Sequence, residues 1–147
     1  MEKYVAKWEQ SKYLVFSSLF YFVPSIYSYM YCLYMHSLLL TVCTIISINY
    51  WRKATYGLRR NIDLFFAKIT VVIFMYNGAI YVRYIPYIMI GYSNFAITLY
   101  LYYISGILLQ EEKLHWYTYH MLFHLLTTCN AIIIIHSILD HHKNALC

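Results

Sequence analysis

The feature that most constrains this chain is an uncharged stretch of 39 residues, 13–51, between Lys12 and Arg52. As one α-helix it would be about 58 Å long, roughly twice the thickness of the hydrocarbon core of a bilayer. Only 12% of the residues are charged and 62% are hydrophobic, whereas about 25% are charged in a typical soluble domain. The stretch therefore predicts a hairpin of two membrane-spanning helices, and the composition excludes a water-soluble monomer.

The rest of the chain divides into further apolar runs separated by short polar breaks. The breaks are RKATYGLRR (52–60), Arg83 with Pro86, and QEEK (110–113). At about 20 residues for each spanning helix, they predict one all-α domain over residues 1–147, a polytopic membrane bundle of five transmembrane helices. The predicted spans are 13–32, 36–51, 62–81, 93–109 and 115–139.

Smaller features refine these boundaries. A tight connection between the first two spans is expected at residues 34–37. Pro24 is expected to kink the first span, since neighbouring helices can satisfy the backbone group that a proline frees. The regular part of the fourth span is expected to begin only after a break near Gly91. The predicted bundle therefore has one irregular helix in each half.

Lysine and arginine are unevenly distributed between the two sides that five spans define. Nine lie on the side of the N-terminus, namely Lys3, Lys7, Lys12, Arg52, Lys53, Arg59, Arg60, Lys68 and Lys113. The other side has Arg83 and Lys143. By the positive-inside rule, we expect a cytosolic N-terminus and a C-terminus in the lumen or outside, with an internal membrane favoured. His136, His141 and His142 are interpreted as a solvated luminal end.

The formal charge of +5 does not indicate nucleic-acid binding. The cations are scattered between apolar runs and do not form a stripe. Their expected role is to set the membrane topology, and the expected partners are the lipid bilayer and a lipid ligand. The sequence predicts no particular protein partner.

Four polar residues in the predicted spans are candidates for a functional site, because an ionisable group in a bilayer is costly unless it has a partner or a cavity. His120 and His124 are four residues apart and share one helix face, a spacing that can bind a metal ion. Asp63 begins the third span and Ser47 ends the second. The predicted topology puts all four in the cytosolic leaflet, where a cavity walled by aromatic and leucine side chains would admit a lipid head group.

Each candidate also has a plain structural interpretation. The histidines could be a pair that hydrogen-bonds to neighbouring helices, and Ser47 could bond its own backbone. Asp63 could be a first-turn carboxylate that is favourable to the helix dipole. In the functional interpretation, Asp63 ligates a metal, orients a histidine or holds a metal-bound water.

Together these residues resemble the CREST superfamily of membrane hydrolases, which includes alkaline ceramidases and the progestin and adipoQ receptors. The matching features are Ser47, Asp63 in RRNIDLFFAK, and the histidine pair in YHMLFHLLTT. Family members have seven helices and act on lipid amides, with a zinc ion held by three histidines and a water. The resemblance implies that His120 and His124 bind zinc, which activates that water. It also implies that Asp63 and Ser47 position the water and the substrate carbonyl.

Two features depart from the family pattern. The remaining family histidine stands about one turn after the second-helix serine, where this chain has Trp51, and five spans are predicted in place of seven. A three-ligand catalytic zinc would need Asp63 or His115 as its third ligand. The sequence therefore predicts either a reduced zinc-dependent lipid-amide hydrolase or a non-catalytic lipid-binding relative.

Two other classes of function remain open at this point. A small structural or interaction protein of a membrane would use its polar residues only to hold helices together, and it would need no third histidine. A channel or carrier is less well supported, because the chain has no TVGYG filter, only 4 glycines and 2 prolines, and no pair of broken helices.

Overall fold

A computed structural model describes residues 4–142, and these form an all-helical protein. The helices are α1 (Trp8–Ser18), α2 (Phe22–Met30), α3 (Tyr34–Arg52), α4 (Leu58–Tyr81), α5 (Ile85–Gln110) and α6 (Trp116–His141). Within this range the only β-type pairing is an isolated bridge between Tyr4 and Thr55. The all-α prediction is confirmed for the described residues, whereas Lys3 and Lys143 of the charge count lie outside them.

Three helices, α4, α5 and α6, are long and apolar enough to cross a membrane, with 24, 26 and 26 residues. Few residues of α4 and α5 are buried inside the protein, 11% and 17% over the most apolar part of each helix, whereas 33% are buried in α6. An apolar helix that is exposed in this way fits contact with lipid. The membrane character of the chain is supported, and the count of five spans remains a prediction.

The first helical hairpin turns earlier than predicted. Residues 34–37 belong to α3, and the chain reverses at residues 31–33. The Leu33 amide donates to the Ser28 carbonyl at 2.9 Å and the Cys32 amide to the Tyr29 carbonyl at 3.1 Å. This is the Schellman pattern, which ends a helix at a residue in the left-handed region. Here that residue is Cys32, with φ 59°, so no glycine marks the turn in the sequence.

Two other helices begin before the predicted residue. The fourth predicted span, 93–109, lies inside α5, which begins at Ile85 and runs through Gly91 without a break. Pro86 lies in the first turn of α5, where its missing amide hydrogen breaks no helical bond. The third predicted span, 62–81, lies inside α4, which begins at Leu58 after Gly57.

The kink expected at Pro24 is found about one turn earlier, as an interruption of the α-helix. A 3-10 turn over Leu19–Tyr21 joins α1 to α2, and Pro24 lies in the first turn of α2. Proline has no amide hydrogen to donate to the carbonyl four residues before it, and its ring crowds that carbonyl. That carbonyl belongs to Phe20, in the middle of the 3-10 turn. The proline therefore explains why this turn tightens.

Helix α6 is the centre of the bundle, because α1, α2, α4 and α5 all pack against it. Among the helices that the structure describes, α5 packs against α6 and has few contacts with α4 beyond the connection that joins them. One core cluster, near the start of α6, contains Ala6, Leu14, Tyr50, Trp51, Ala54 and Trp116. A second, towards its end, contains Leu40, Phe74, Ala131 and Ile135.

We predict that Ile135→Ala destabilises the bundle, because Ile135 is 0% exposed at the centre of the second cluster. The loss should be about 2 kcal/mol, at the low end of large-to-small core substitutions, since packing and not transfer from water drives association in lipid. Thermal unfolding in detergent measures it. Ile97→Ala, at a residue that is 49% exposed on α5, is the matched control. Equal midpoints for the two variants would contradict this packing.

Candidate functional site

The candidate site is built on one face of α6, near the start of the helix. His120 and His124 are one turn apart, and their rings lie edge to face with centroids 4.9 Å apart. His124 is 3% exposed, and His120 is partly buried. The predicted stacking of the two imidazoles on one face therefore matches the geometry of the helix.

A serine from a different helix contacts each imidazole. The hydroxyl of Ser17 on α1 lies 2.8 Å from His124 Nδ1, and the hydroxyl of Ser105 on α5 lies 3.3 Å from His120 Nδ1. Each serine also donates its proton to a carbonyl of its own helix, that of Leu14 at 3.3 Å and that of Tyr102 at 2.8 Å. Where the serine proton goes to the carbonyl, the serine oxygen is the acceptor for the imidazole.

The serine contacts are compatible with the Nδ1–H tautomer of both histidines. A serine hydroxyl has one proton, so a serine that donates to a carbonyl accepts from the Nδ1–H of its histidine. Each neutral imidazole then has its lone pair on Nε2. In metal sites, a ligating histidine is oriented in a similar way, because the ring nitrogen that does not bind the metal donates a hydrogen bond to a nearby acceptor. The pair can therefore accept two hydrogen bonds or provide two metal ligands.

Ser47 and Asp63 lie in the same buried region, on α3 and α4. The Ser18 hydroxyl on α1 lies 3.1 Å from the Ser47 hydroxyl, and the Ser47 hydroxyl interacts with the Asp63 carboxyl group. Ser47 is 5% exposed and Asp63 9%. Because Ser17 and Ser18 are adjacent, α1 links this pair to His124. We call Ser17, Ser18, Ser47, Asp63, His120 and His124 the polar centre.

The first-turn interpretation of Asp63 is wrong. Helix α4 begins at Leu58 and has no acidic residue in its first turn, so Asp63 lies in the second turn. The helix dipole acts mainly on charges in the first turn. A buried carboxyl group there needs a local partner, and Ser47 provides one.

Trp51 occupies the space next to the histidine pair. Its ring centroid lies 5.1 Å from that of His120 and 6.1 Å from that of Trp116, and Trp51 is 5% exposed. An indole has an N–H donor and no lone pair for a metal. The position that the family resemblance assigns to a third histidine is therefore filled by a side chain that cannot ligate zinc.

The described residues do not fit a three-ligand zinc site. Across residues 4–142, no three histidine, cysteine, aspartate or glutamate side chains lie close enough together to hold one ion. Neither Asp63 nor His115 completes the histidine pair in this way. A catalytic zinc ion needs three protein ligands and one open position, so the geometry provides two imidazoles and lacks the third ligand.

Sequence reasoning missed three residues of this site, namely Ser17, Ser18 and Ser105. A serine in an apolar helix carries little information by itself, since it usually bonds its own backbone. These three bond their own helices and also reach across to α6 or α3. Only the packing of α1 and α5 shows which hydroxyls face the imidazoles and Ser47.

Comparisons with known proteins give no match. The chain aligns with no protein family, no curated protein and no solved structure at a significant level.

We predict that Ser17 and His124 are energetically coupled, because their side chains share a buried hydrogen bond. In a double-mutant cycle with Ser17→Ala and His124→Ala, the coupling should be about 0.6 kcal/mol and at most about 1.7 kcal/mol, as for other hydrogen bonds between helices in membranes. Unfolding in mixed micelles measures it.

The matched control for this cycle is Ser28→Ala. The Ser28 hydroxyl bonds the carbonyl of Pro24 in its own helix at 2.8 Å, so Ser28→Ala and His124→Ala should be additive. If the coupling energy between Ser17 and His124 is no larger than that between Ser28 and His124, the hydrogen bond between α1 and α6 does not stabilise the bundle.

Proposed function

We propose that this chain is a multi-pass membrane protein that binds a lipid at its polar centre without hydrolysing it. It is then a reduced, non-catalytic relative of the CREST hydrolases, with five spans and a cytosolic N-terminus. The observation that carries this proposal is the indole of Trp51, which lies against His120 at the position that the resemblance gives to a third zinc ligand.

The chemistry of the polar centre supports a lipid with hydrogen-bond donors. In the Nδ1–H tautomer the two imidazoles have lone pairs on Nε2, and Asp63 adds carboxyl oxygens, so the centre is rich in acceptors. Its natural ligand is a head group with hydroxyl and amide N–H donors, as in ceramide. Two protein ligands without a third give zinc too few contacts for a catalytic site, which is why we favour binding over hydrolysis.

The proposed topology is supported by the lengths of the helical segments. Residues 8–30 and α3 follow one another as two helical segments joined by a short turn. Each has enough residues to cross the hydrocarbon core or nearly so, at 1.5 Å per residue. Together with α4, α5 and α6 they make five spans and place the polar centre in the leaflet nearer the N-terminus.

We predict opposite accessibility for two exposed loop positions. In a variant with its native cysteines replaced, Lys113→Cys should react with a membrane-impermeant maleimide only from the cytosolic side. Arg83→Cys should react only from the other side, because an odd number of spans separates these loops. Sealed vesicles of known orientation measure the labelling. Labelling of both positions from the same side would contradict the five-span topology.

We predict that the purified protein lacks stoichiometric zinc and that Trp51→His gains it. The substitution places a third imidazole beside His120 and His124. Metal analysis by mass spectrometry after zinc supplementation measures the change. Phe74→His is the matched control, since Phe74 is a buried aromatic residue in the second core cluster and should gain no zinc. Stoichiometric zinc in the wild type, lost in His120→Ala/His124→Ala, would contradict our proposal and favour a hydrolase.

Lipid binding is tested with a photoactivatable ceramide in the same preparations. The wild type should be labelled and should release no fatty acid, and Asp63→Asn should reduce the labelling because one acceptor is lost. The other candidate function is a structural or interaction protein, and the bonds from α6 to Ser17 and Ser105 favour it. In that case Asp63→Asn and His120→Gln would lower stability and leave the labelling unchanged.

A further inference from the structure

A cavity lies at the end of the bundle opposite the polar centre. It has a volume of about 470 Å³ and lies between the end of α4, the start of α5 and the end of α6. The side chains that line it include Tyr81, Arg83, Tyr84, Tyr87, Asp140 and His141. We call this cavity the head-group pocket. None of its lining residues belongs to the polar centre.

The head-group pocket combines opposite charges. Arg83 is exposed in the connection between α4 and α5, and its guanidinium group suits a phosphate, which it can bind through two parallel hydrogen bonds. Asp140, on α6, has a carboxylate oxygen 3.6 Å from His136 Nε2. A ligand that meets both Arg83 and Asp140 is matched best if it has a negative and a positive group itself.

Aromatic rings form much of the wall. Tyr84 and Tyr87 pack edge to face with centroids 5.2 Å apart, and the Tyr81 ring lies 5.3 Å from that of His141. Tyrosine rings attract cations over their faces, and groups of such rings recognise quaternary ammonium ligands. With Asp140 among them, the tyrosines form the part of the wall that suits an ammonium group.

Two apolar helices meet at this pocket. It lies at the end of α4 and the start of α5, where the chain connects them. Both helices are apolar and largely exposed. They therefore provide an apolar surface for acyl chains next to a charged pocket, at the depth where spanning helices end and head groups lie.

We propose that the head-group pocket binds the zwitterionic head group of a phospholipid. The phosphate lies at Arg83, the ammonium lies at Asp140 and the tyrosine rings, and the acyl chains lie against the apolar surfaces of α4 and α5. The site is separate from the polar centre and does not depend on the function proposed for it. Lipid binding also gives residues 136–141 of α6 a role, whereas the sequence indicates only a solvated end.

The test measures lipid binding by the delipidated full-length protein in detergent. Native mass spectrometry gives apparent affinities for dioleoyl phosphatidylcholine, phosphatidylethanolamine and phosphatidylglycerol. The zwitterionic lipids should bind more tightly than phosphatidylglycerol. Arg83→Gln should weaken their binding about tenfold or more, as expected for the loss of a charged hydrogen bond. Asp140→Asn should remove the preference for zwitterionic over anionic lipid.

Arg59→Gln is the matched control, since Arg59 is an exposed arginine at the other end of α4 and its loss should leave the affinities unchanged. Unfolding midpoints without added lipid show that the variants are folded. Unchanged binding by Arg83→Gln, or tighter binding of phosphatidylglycerol by the wild type, overturns the proposal. Equal binding of free phosphocholine and of the whole lipid would also overturn it, because the ligand would then be a soluble phosphate ester. Asp63→Asn should leave these affinities unchanged, which separates this test from that of the polar centre.

Discussion

The hydrogen bonds between the imidazoles of α6 and the serines of two other helices are the interaction on which the arrangement of the bundle depends. A buried polar group in an apolar surrounding needs a partner, and no water is available within a bilayer. His124 finds its partner on α1 and His120 on α5. Since α5 packs against α6 among the described helices, the contact between Ser105 and His120 also fixes how α5 is rotated against α6.

Small hydroxyl side chains have a similar role between α2 and α3. The Ser25 hydroxyl lies 2.7 Å from that of Thr41 and donates to the Ser37 carbonyl at 3.0 Å. Small residues let two helix backbones approach closely, and their hydroxyl groups bond across the interface. The same principle brings Ser18 to Ser47 between α1 and α3. A line of short polar side chains thus leads along α3 to the polar centre.

The sequence predicts the helical segments well and their ends less well. Charge-free stretches and polar breaks define apolar helices because polar groups are excluded from lipid. The turn after α2 was misplaced because Cys32, and not glycine, adopts the left-handed conformation. Pro86 was interpreted as part of a connection, although proline is favoured in the first turn of a helix. For the site, the spacing of His120 and His124 was sufficient to predict their common face, whereas their serine partners depend on which helices are neighbours.

Two of the helix ends share a feature with a broader consequence. Cys32 and Glu112 both have positive φ angles, 59° and 55°, and each occupies the C′ position of a Schellman motif, a position at which glycine is usual. A residue with a side chain is disfavoured there by about 1 kcal/mol or more. These turns therefore have a local cost in free energy, which the packing of the helices that they join has to offset.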